Sequence, residues 1–289
     1  MNSIQVFSRE HWGLFKALVF RDLEQRYRGT FLGIGWFLLY PLLLLSMYLF
    51  VFQVVFSARW SGPIAADTST IPIPDHFYFA FNLFAGMLVA TPFLEVVSRA
   101  PRLISDQPQF VKRIVFPLPL LAVVLSVSAW MQALVQWLIL LVIIILSLLL
   151  TFPLEQLVSL DLTQWLFVQI PLSFALLLTL LPFLFAIATI LAAIGTYVKD
   201  LSQLSPTIGT GLMFLGPVFY PLASVPESVR WVMLFNPLTI VIEALRGLIF
   251  HGHWPMLVTI LGYTITGIGV AVCGYLLFTR VQSGFSDVV

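Results

Sequence analysis

The stretch from Ile114 to Leu154 reads IVFPLPLLAVVLSVSAWMQALVQWLILLVIIILSLLLTFPL, 41 residues without a charged side chain. About 20 apolar residues cross a bilayer as one helix, so this stretch contains a complete crossing with residues left over. Pro117 and Pro119 mark its interfacial start, because proline disfavours the interior of a helix. The sequence therefore predicts a transmembrane helix over residues 120–150.

The rest of the chain has a similar composition. Of 289 residues, 60% are hydrophobic and only 9% are charged, whereas roughly a quarter of the residues of a soluble domain are charged. Helices satisfy their own backbone polar groups inside a bilayer, so an all-α integral membrane protein is expected. A net charge of +1 gives no reason to expect a nucleic acid partner.

Six apolar blocks predict six transmembrane helices within a single domain, 1–289. These are residues 31–57, 77–98, 120–150, 165–195, 207–222 and 255–278. If the N-terminus is inside, the cytoplasmic segments hold eleven of the 14 lysines and arginines, and the outer loops hold three. This asymmetry obeys the positive-inside rule and predicts that both termini lie in the cytoplasm.

The segment before the first crossing, residues 1–30, is predicted to be an amphipathic helix in the cytoplasmic interface. Trp12, Phe15, Leu18, Val19 and Leu23 recur at helical spacing, and charged or polar residues occupy most other positions. Such a helix places its apolar face at the boundary of head groups and acyl chains. A soluble tail with accidental periodicity is the alternative.

Residues 225–254 differ from an ordinary loop between two crossings. The apolar runs Trp231–Phe235 and Leu238–Ile242 are each too short to span a bilayer, and Asn236 and Pro237 separate them. Two short helices that dip into the outer leaflet and return fit this pattern, since irregular backbone at depth must be buried or line a cavity. A surface loop resting on the bilayer is the alternative.

The chain carries no pattern typical of an enzyme. Its three lysines, Lys16, Lys112 and Lys199, follow aromatic or aliphatic residues, whereas a phosphate-binding loop has a glycine before its lysine. No two histidines have the four-residue spacing of a helical zinc site. We therefore predict no catalytic residue, metal site or cofactor on this chain.

Polar side chains inside the third crossing form a stripe. Ser128, Gln132 and Gln136 recur every four residues, so they share one helix face. This face should look into the bundle or into a channel, because polar groups are costly in lipid. In the second crossing, Glu95 and Arg99 have the spacing of an ion pair on a helix surface.

Aromatic side chains recur along the first crossing. Trp36, Tyr40, Tyr48 and Phe52 fall on one four-residue series. Their rings could offer stacking surfaces to sugars along a substrate path. Packing against other helices, or placement in the interfacial belt, is equally compatible with the pattern.

Several motifs follow one another along nearly the whole chain. The longest is Arg21–Gly33, RDLEQRYRGTFLG, followed by Trp36 and Pro41. The later motifs are Val115-Phe116-Pro117, Val198-Lys199-Asp200-Leu201, Tyr220-Pro221, Val225-Pro226-Glu227, Asn236-Pro237-Leu238, Arg246-Gly247 and Gly284-Phe285-Ser286-Asp287. In this order they resemble the ABC-2 type permeases that export O-antigen, teichoic acid or capsule. Leu118 and Lys199 stand where that family often has arginine, which weakens the transfer of roles to single residues.

The resemblance implies a homodimer of six-crossing subunits in the bacterial cytoplasmic (inner) membrane, paired with two copies of a separate P-loop ATPase. ATP and Mg²⁺ would bind that partner. A lipid-linked polysaccharide, of the undecaprenyl type, would pass along the dimer interface within the membrane lipid. Residues 225–254 would be the outer gate helices.

The resemblance also suggests roles for individual residues. The pyrophosphate of the lipid carrier would bind at the cytoplasmic mouth to Arg21, Arg26 and Arg28, since guanidinium groups suit phosphate oxygens. Ordinary anchoring under the positive-inside rule is the alternative role of these arginines. Coupling to the ATPase would involve Arg99, Arg102, Lys112, Arg113, Lys199 and Asp200. The outer gate would include Tyr220, Glu227, Arg230, Asn236, Glu243 and Arg246. The substrate path would be lined by Trp36, Tyr40, Tyr48, Phe52, Ser128, Gln132 and Gln136.

Two other functions share part of this pattern. An integral membrane glycosyltransferase or ligase that acts on lipid-linked sugars would be as hydrophobic and aromatic, but it should carry acidic pairs in a sizeable outer loop. The longest loop here has about 30 residues and is mostly apolar. An ABC-2 exporter of drugs or lipids would fit the crossings but not the N-terminal motif.

Overall fold

The described part of the chain is helical, with turns and short loops between the helices. A computed structural model describes residues 9–55, 73, 75–111, 116–153, 155 and 162–288. No β-strand occurs within these residues. The prediction of an all-α chain is confirmed.

Twelve α-helices follow one another in the described residues. They are α1 Arg9–Tyr27, α2 Trp36–Leu49, α3 Asp75–Arg99, α4 Pro108–Val111, α5 Pro119–Thr151, α6 Ile170–Leu178, α7 Leu180–Tyr197, α8 Leu201–Leu215, α9 Glu227–Leu234, α10 Pro237–Arg246, α11 Leu257–Val281 and α12 Phe285–Val288. A 3-10 turn, Ala100–Arg102, extends α3. Wider π turns extend α2 over Phe50–Val55 and α10 over Gly247–His251, and another, Trp165–Gln169, precedes α6.

Four helical segments are long and apolar enough to cross a membrane. They are Phe77–Arg102, Pro119–Thr151, Trp165–Tyr197 and Leu257–Gly284. They overlap the crossings predicted at 77–98, 120–150, 165–195 and 255–278. A fifth candidate is the pair Glu227–Leu234 and Pro237–His251, whose two halves are bent by 102°. The described chain is therefore a multi-pass membrane protein with four to five candidate spans.

The other two predicted crossings correspond to shorter helices. Within 31–57 the apolar helix is Trp36–Phe52, below the length of a typical span, and residues from 56 lie outside the described part. Within 207–222 the helix is α8, which begins directly after Asp200. Pro206 is accommodated inside α8. The helix ends at Gly216, where the backbone becomes extended.

The second predicted crossing, α3, lies at the centre of the bundle. In the most apolar window of Phe77–Arg102, 83% of the residues are buried, against 17% in the corresponding window of Leu257–Gly284. Helices α5, α7, α8 and α10 all pack against α3. Because these neighbours lie along the length of α3, residues near both ends of α3 contact other helices.

Candidate functional site

Four charged side chains form a closed network where α1 lies against the Arg99 end of α3. This ionic quartet consists of Asp22 and Arg26 on α1 with Glu95 and Arg99 on α3. Arg26 Nη2 lies 2.5 Å from Glu95 Oε1 and 3.1 Å from Asp22 Oδ2. Arg99 Nη2 lies 2.5 Å from Asp22 Oδ1, and Arg99 Nη1 lies 2.7 Å from Glu95 Oε1. The pair predicted between Glu95 and Arg99 is confirmed, and it is half of a larger network.

The quartet is poorly accessible to solvent, and this determines its electrostatics. The side chains of Arg26, Asp22 and Glu95 are only 13%, 16% and 15% exposed. Burial alone would raise the pKa of Asp22, but hydrogen bonds and charges from Arg99 and Arg26 outweigh it and hold that pKa below its usual value of 3.8. Two acids and two arginines neutralise one another, so α1 docks on α3 without an uncompensated charge.

The three arginines predicted to bind pyrophosphate differ in their surroundings. Arg26 points into the quartet and also donates a hydrogen bond to Gln132 Oε1 at 3.3 Å. Arg21 is exposed, and its guanidinium carbon lies 5.5 Å from the ring centre of Phe110. Arg28 is exposed as well. Only Arg21 and Arg28 therefore remain open to a ligand.

Asp22 is a site residue that sequence reasoning did not single out. Its partner Arg99 lies 77 positions away in the chain. The only local signal was the four-residue spacing between Asp22 and Arg26, which suits an ion pair on a helix surface. Such pairs are common and usually solvated, so the spacing alone did not mark a site.

The polar stripe on α5 faces the interior of the bundle. Ser128, Gln132 and Gln136 are all buried, with exposures of 0%, 6% and 2%. Gln132 accepts the hydrogen bond from Arg26, and Gln136 Oε1 accepts one from Thr91 of α3 at 3.4 Å. Ser128 Oγ has no hydrogen-bond partner among the described residues. Through these hydrogen bonds the stripe joins α5 to α1 and α3 next to the quartet.

The aromatic series on the first crossing separates into two parts. Tyr48 and Phe52 pack against Phe219, with ring centres 5.1 and 5.3 Å away. Tyr40 is 46% exposed, and Trp36 is half-buried. Phe219 was not recognised from the sequence as part of this group, because it lies far along the chain beside the Tyr220-Pro221 motif. The structure thus gives Tyr48 and Phe52 a packing partner and leaves Tyr40 open.

Two of the segments predicted to couple to an ATPase lie against each other. The turn Ala100–Arg102 meets the end of α7, where a Cβ at Gly195 would lie 2.5 Å from Pro101 Cα. Only glycine permits this approach of two backbones. Arg102 is exposed next to Pro101, and Lys199 and Asp200 are exposed just beyond α7.

The remaining residues predicted for coupling are placed differently. Arg99 is held in the quartet, with its side chain 39% exposed. Lys112 and Arg113 lie outside the described residues. Arg102, Lys199 and Asp200 are therefore exposed residues close in sequence to the contact between Pro101 and Gly195.

Of the residues predicted for the outer gate, two form hydrogen bonds to nearby backbone carbonyls and one is exposed. Tyr220 donates its hydroxyl hydrogen to Phe214 O at 2.8 Å. Arg230 donates to Val225 O at 2.9 Å. Glu227 is exposed in the first turn of α9. These contacts shape the loop between α8 and α9.

The other three, Asn236, Glu243 and Arg246, lie on or next to α10. Asn236 caps the helix, because its Oδ1 accepts a hydrogen bond from Leu238 N at 3.0 Å. Arg246 is only 3% exposed and pairs with Glu243 at 3.2 Å. An arginine expected in an outer loop is therefore buried in the protein.

Comparison with known proteins places these features in a family. The chain matches the ABC-2 type transporter family over residues 13–250, from α1 to the π turn that follows α10. It is similar to the O-antigen export system permease protein RfbA of Myxococcus xanthus, with 29% identity over 248 residues, 85% of this chain and 84% of the relative.

Two proteins of the same name from Klebsiella pneumoniae are similar over nearly their full length. They are 26% and 24% identical to this chain over 281 and 284 residues, and each alignment covers 96% of both chains. The family match alone covers far more than half of the chain. The chain therefore belongs to the ABC-2 type transporter family.

Proposed function

We propose that this chain is the permease subunit of an ABC transporter that exports a lipid-linked polysaccharide, of the O-antigen type, across the bacterial inner membrane. The observation that carries the proposal is the similarity to O-antigen export permeases over as much as 96% of both chains. The family is one of transporters, so the chain is a transporter subunit and not an enzyme. A membrane glycosyltransferase finds no support in these relationships.

The proposed assembly is a homodimer in which each subunit crosses the membrane six times. Helices α2 and α8 supply the first and fifth crossings in addition to the four long spans. Both expose large apolar side chains, such as Met47 on α2 and Ile208 on α8, which suits lipid or a second copy of the chain. The excess of lysine and arginine supports a topology in which both termini, and the Arg99 end of α3, lie in the cytoplasm.

The ATPase is proposed to be a separate chain that binds ATP and Mg²⁺, in two copies per dimer. This chain has no phosphate-binding loop around any of its three lysines. Arg102, Lys199 and Asp200 are exposed on the cytoplasmic side and would contact the partner. Because Gly195 and Pro101 are in backbone contact, the two segments would move together when the ATPases close.

The substrate is proposed to meet Arg21 and Arg28 first and the aromatic face of α2 afterwards. Both arginines are exposed on α1 or just after it, and exposed guanidinium groups suit a pyrophosphate. Tyr40 offers an exposed ring, whereas Tyr48 and Phe52 pack against Phe219. Weak stacking contacts favour movement, because a tightly held sugar would not be released.

Purification from native membranes in a mild detergent tests the proposed function. We expect a P-loop ATPase at one copy per copy of this chain, with ATP hydrolysis in the complex. Deletion of the gene should remove surface polysaccharide, and a plasmid copy should restore it. If no ATPase co-purifies and surface polysaccharide is unchanged by the deletion, the proposed function is wrong.

A further inference from the structure

Arg246 is a charged side chain that the fold has enclosed almost completely. It lies at the end of α10 and is 3% exposed. Arg246 pairs with Glu243 Oε1 at 3.2 Å, but the Glu243 side chain is itself 38% exposed. A guanidinium has five N–H donors, and a buried donor without an acceptor is costly. Most of its acceptors must therefore come from elsewhere.

Those acceptors are backbone carbonyl oxygens of two other elements. Arg246 Nε and Nη2 donate to Asn82 O of α3 at 3.1 and 2.9 Å. Nη1 donates to Pro217 O at 2.6 Å, and Nη2 donates to Val218 O at 2.9 Å. Pro217 and Val218 lie in the non-helical turn that follows α8. One side chain thus joins α10, α3 and the turn after α8.

The site is shaped to receive a planar, forked group. A Cβ at Gly86 of α3 would lie 2.9 Å from Arg246 Nη2 and 2.9 Å from Val218 O. Glycine at this position therefore makes room for the guanidinium and for the turn that it binds. A lysine at 246 would keep the charge but could not donate in the same plane to three carbonyls.

A second polar side chain fixes the opposite end of α10. Asn236 Nδ2 donates to Leu212 O in the last turn of α8 at 2.7 Å, while Asn236 Oδ1 caps α10. Asn236 therefore attaches the start of α10 to α8, and Arg246 attaches the end of α10 to the turn that follows α8. We call this pair of attachments the α10 clasp.

We propose that Arg246 is a positioning residue whose hydrogen bonds in the α10 clasp keep the outer gate closed between transport events. The proposal rests on the proposed function, together with the expectation from the sequence that residues 225–254 form the outer gate of the substrate path. Swinging α10 away would leave the guanidinium, Asn82 O, Pro217 O and Val218 O unpaired in a dry environment. The clasp therefore makes spontaneous opening of the gate rare. A moving polymer, or a concerted shift of α3 and α8, must displace the clasp.

The test uses the complete transporter, with its ATPase, in liposomes loaded with a small fluorescent dye and without ATP. Arg246→Lys should raise the rate of dye leakage by about tenfold, the effect of losing about one buried hydrogen bond from the closed state. Arg280→Lys is the matched control, because Arg280 is exposed in the last turn of α11 and has no part in the clasp. It should leak like the wild type.

Gly86→Ala supplies an independent variant, because it crowds the guanidinium from α3 and leaves α9 and α10 unchanged in sequence. All variants are compared as folded complexes, selected by size-exclusion chromatography. Leakage from folded Arg246→Lys or Gly86→Ala complexes supports the clasp, whereas a role in folding alone would lower the yield without leakage. If the folded variants leak dye no faster than the wild type, the inference is wrong. The proposed function is judged separately by wild-type export and ATPase binding.

Discussion

The arginines of this chain show how burial decides the role of a residue type. Arg28 is exposed and free to meet a ligand, Arg26 is neutralised by two carboxylates, and Arg246 is surrounded by backbone carbonyls. A buried charge must be paired or fully hydrogen-bonded, so the last two positions tolerate little change. The exposed arginine is under no such constraint from the fold.

The first prediction concerns stability at Arg26. Arg26→Gln should lower the free energy of unfolding by about 3 kcal/mol, because the partly buried carboxylate of Glu95 loses its ion pair with Arg26. Arg28→Gln is the matched control and should have little effect, since exposed charges contribute little. Thermal unfolding of the purified protein in detergent measures both. Equal midpoints for the two variants would contradict the buried role of Arg26.

The second prediction concerns pH at Asp22. Its pKa is lowered in the folded protein, so it stabilises the fold fully above the unfolded value of about 3.9 and loses this effect as the pH falls through the folded pKa. The difference in thermal midpoint between wild type and Asp22→Asn should be constant from about pH 5 to pH 8 and shrink below about pH 4. A difference that vanishes near neutrality would exclude Asp22 as the titrating group.

At the scale of elements, α3 connects the two ends of the site. Its Arg99 end carries half of the ionic quartet, and its Asn82 carbonyl holds Arg246. The turn that follows Arg99 then meets α7 through Pro101 and Gly195. In the proposed transporter, displacement of the segments that contact the ATPase would therefore act directly on α3, which also holds Arg246 of the proposed gate.

The third prediction concerns the contact between Pro101 and Gly195. Gly195→Ala should push the Ala100–Arg102 turn away from α7, because the new methyl group would overlap the Pro101 backbone. We expect weaker ATPase association and at least a severalfold loss of export. Gly269→Ala on α11 is the control, since a Cβ there meets nothing within 4 Å and alanine favours a helix. Normal ATPase binding by folded Gly195→Ala would show that the contact is not needed for docking.

At the scale of the whole molecule, the apolar helices differ in length and continuity. Four segments are long enough by themselves, whereas α2, α8 and the bent pair α9–α10 are shorter or broken. Short or broken helices are tolerated in a bilayer where protein covers their ends or where they line a cavity. In the proposed transporter these are the helices nearest the substrate path and gate.

The fourth prediction concerns orientation. In a Cys273→Ser background, a membrane-impermeant thiol reagent added to spheroplasts should label Ser228→Cys, because residue 228 is exposed on the outer side in the proposed topology. Asp200→Cys should be labelled only after the membrane is opened or inverted. Labelling of both cysteines from outside intact spheroplasts would overturn the assignment of the Lys199 loop to the cytoplasm.

Hydrophobicity and length allowed the long spans to be recognised from the sequence. The predicted crossings at 77–98, 120–150, 165–195 and 255–278 all overlap long apolar helices, because an uncharged run of sufficient length has few other stable states. The start of α8 was not foreseen, since Pro206 resembles a helix boundary in sequence but is accommodated within the helix. Its surroundings, and not its identity, decide whether a proline ends a helix.

What the sequence by itself determined is the class of protein, its helical character, its family and the local pairs such as Glu95 with Arg99. These depend on composition, on the order of motifs and on spacing within one helix. Only the tertiary structure decided that Arg99 meets Asp22 across 77 positions, and that Arg246 reaches Asn82 O across 164. The physical reason is that periodicity defines the faces of a helix, whereas the partner of each face, and hence the burial of a charge, is set by packing between distant segments.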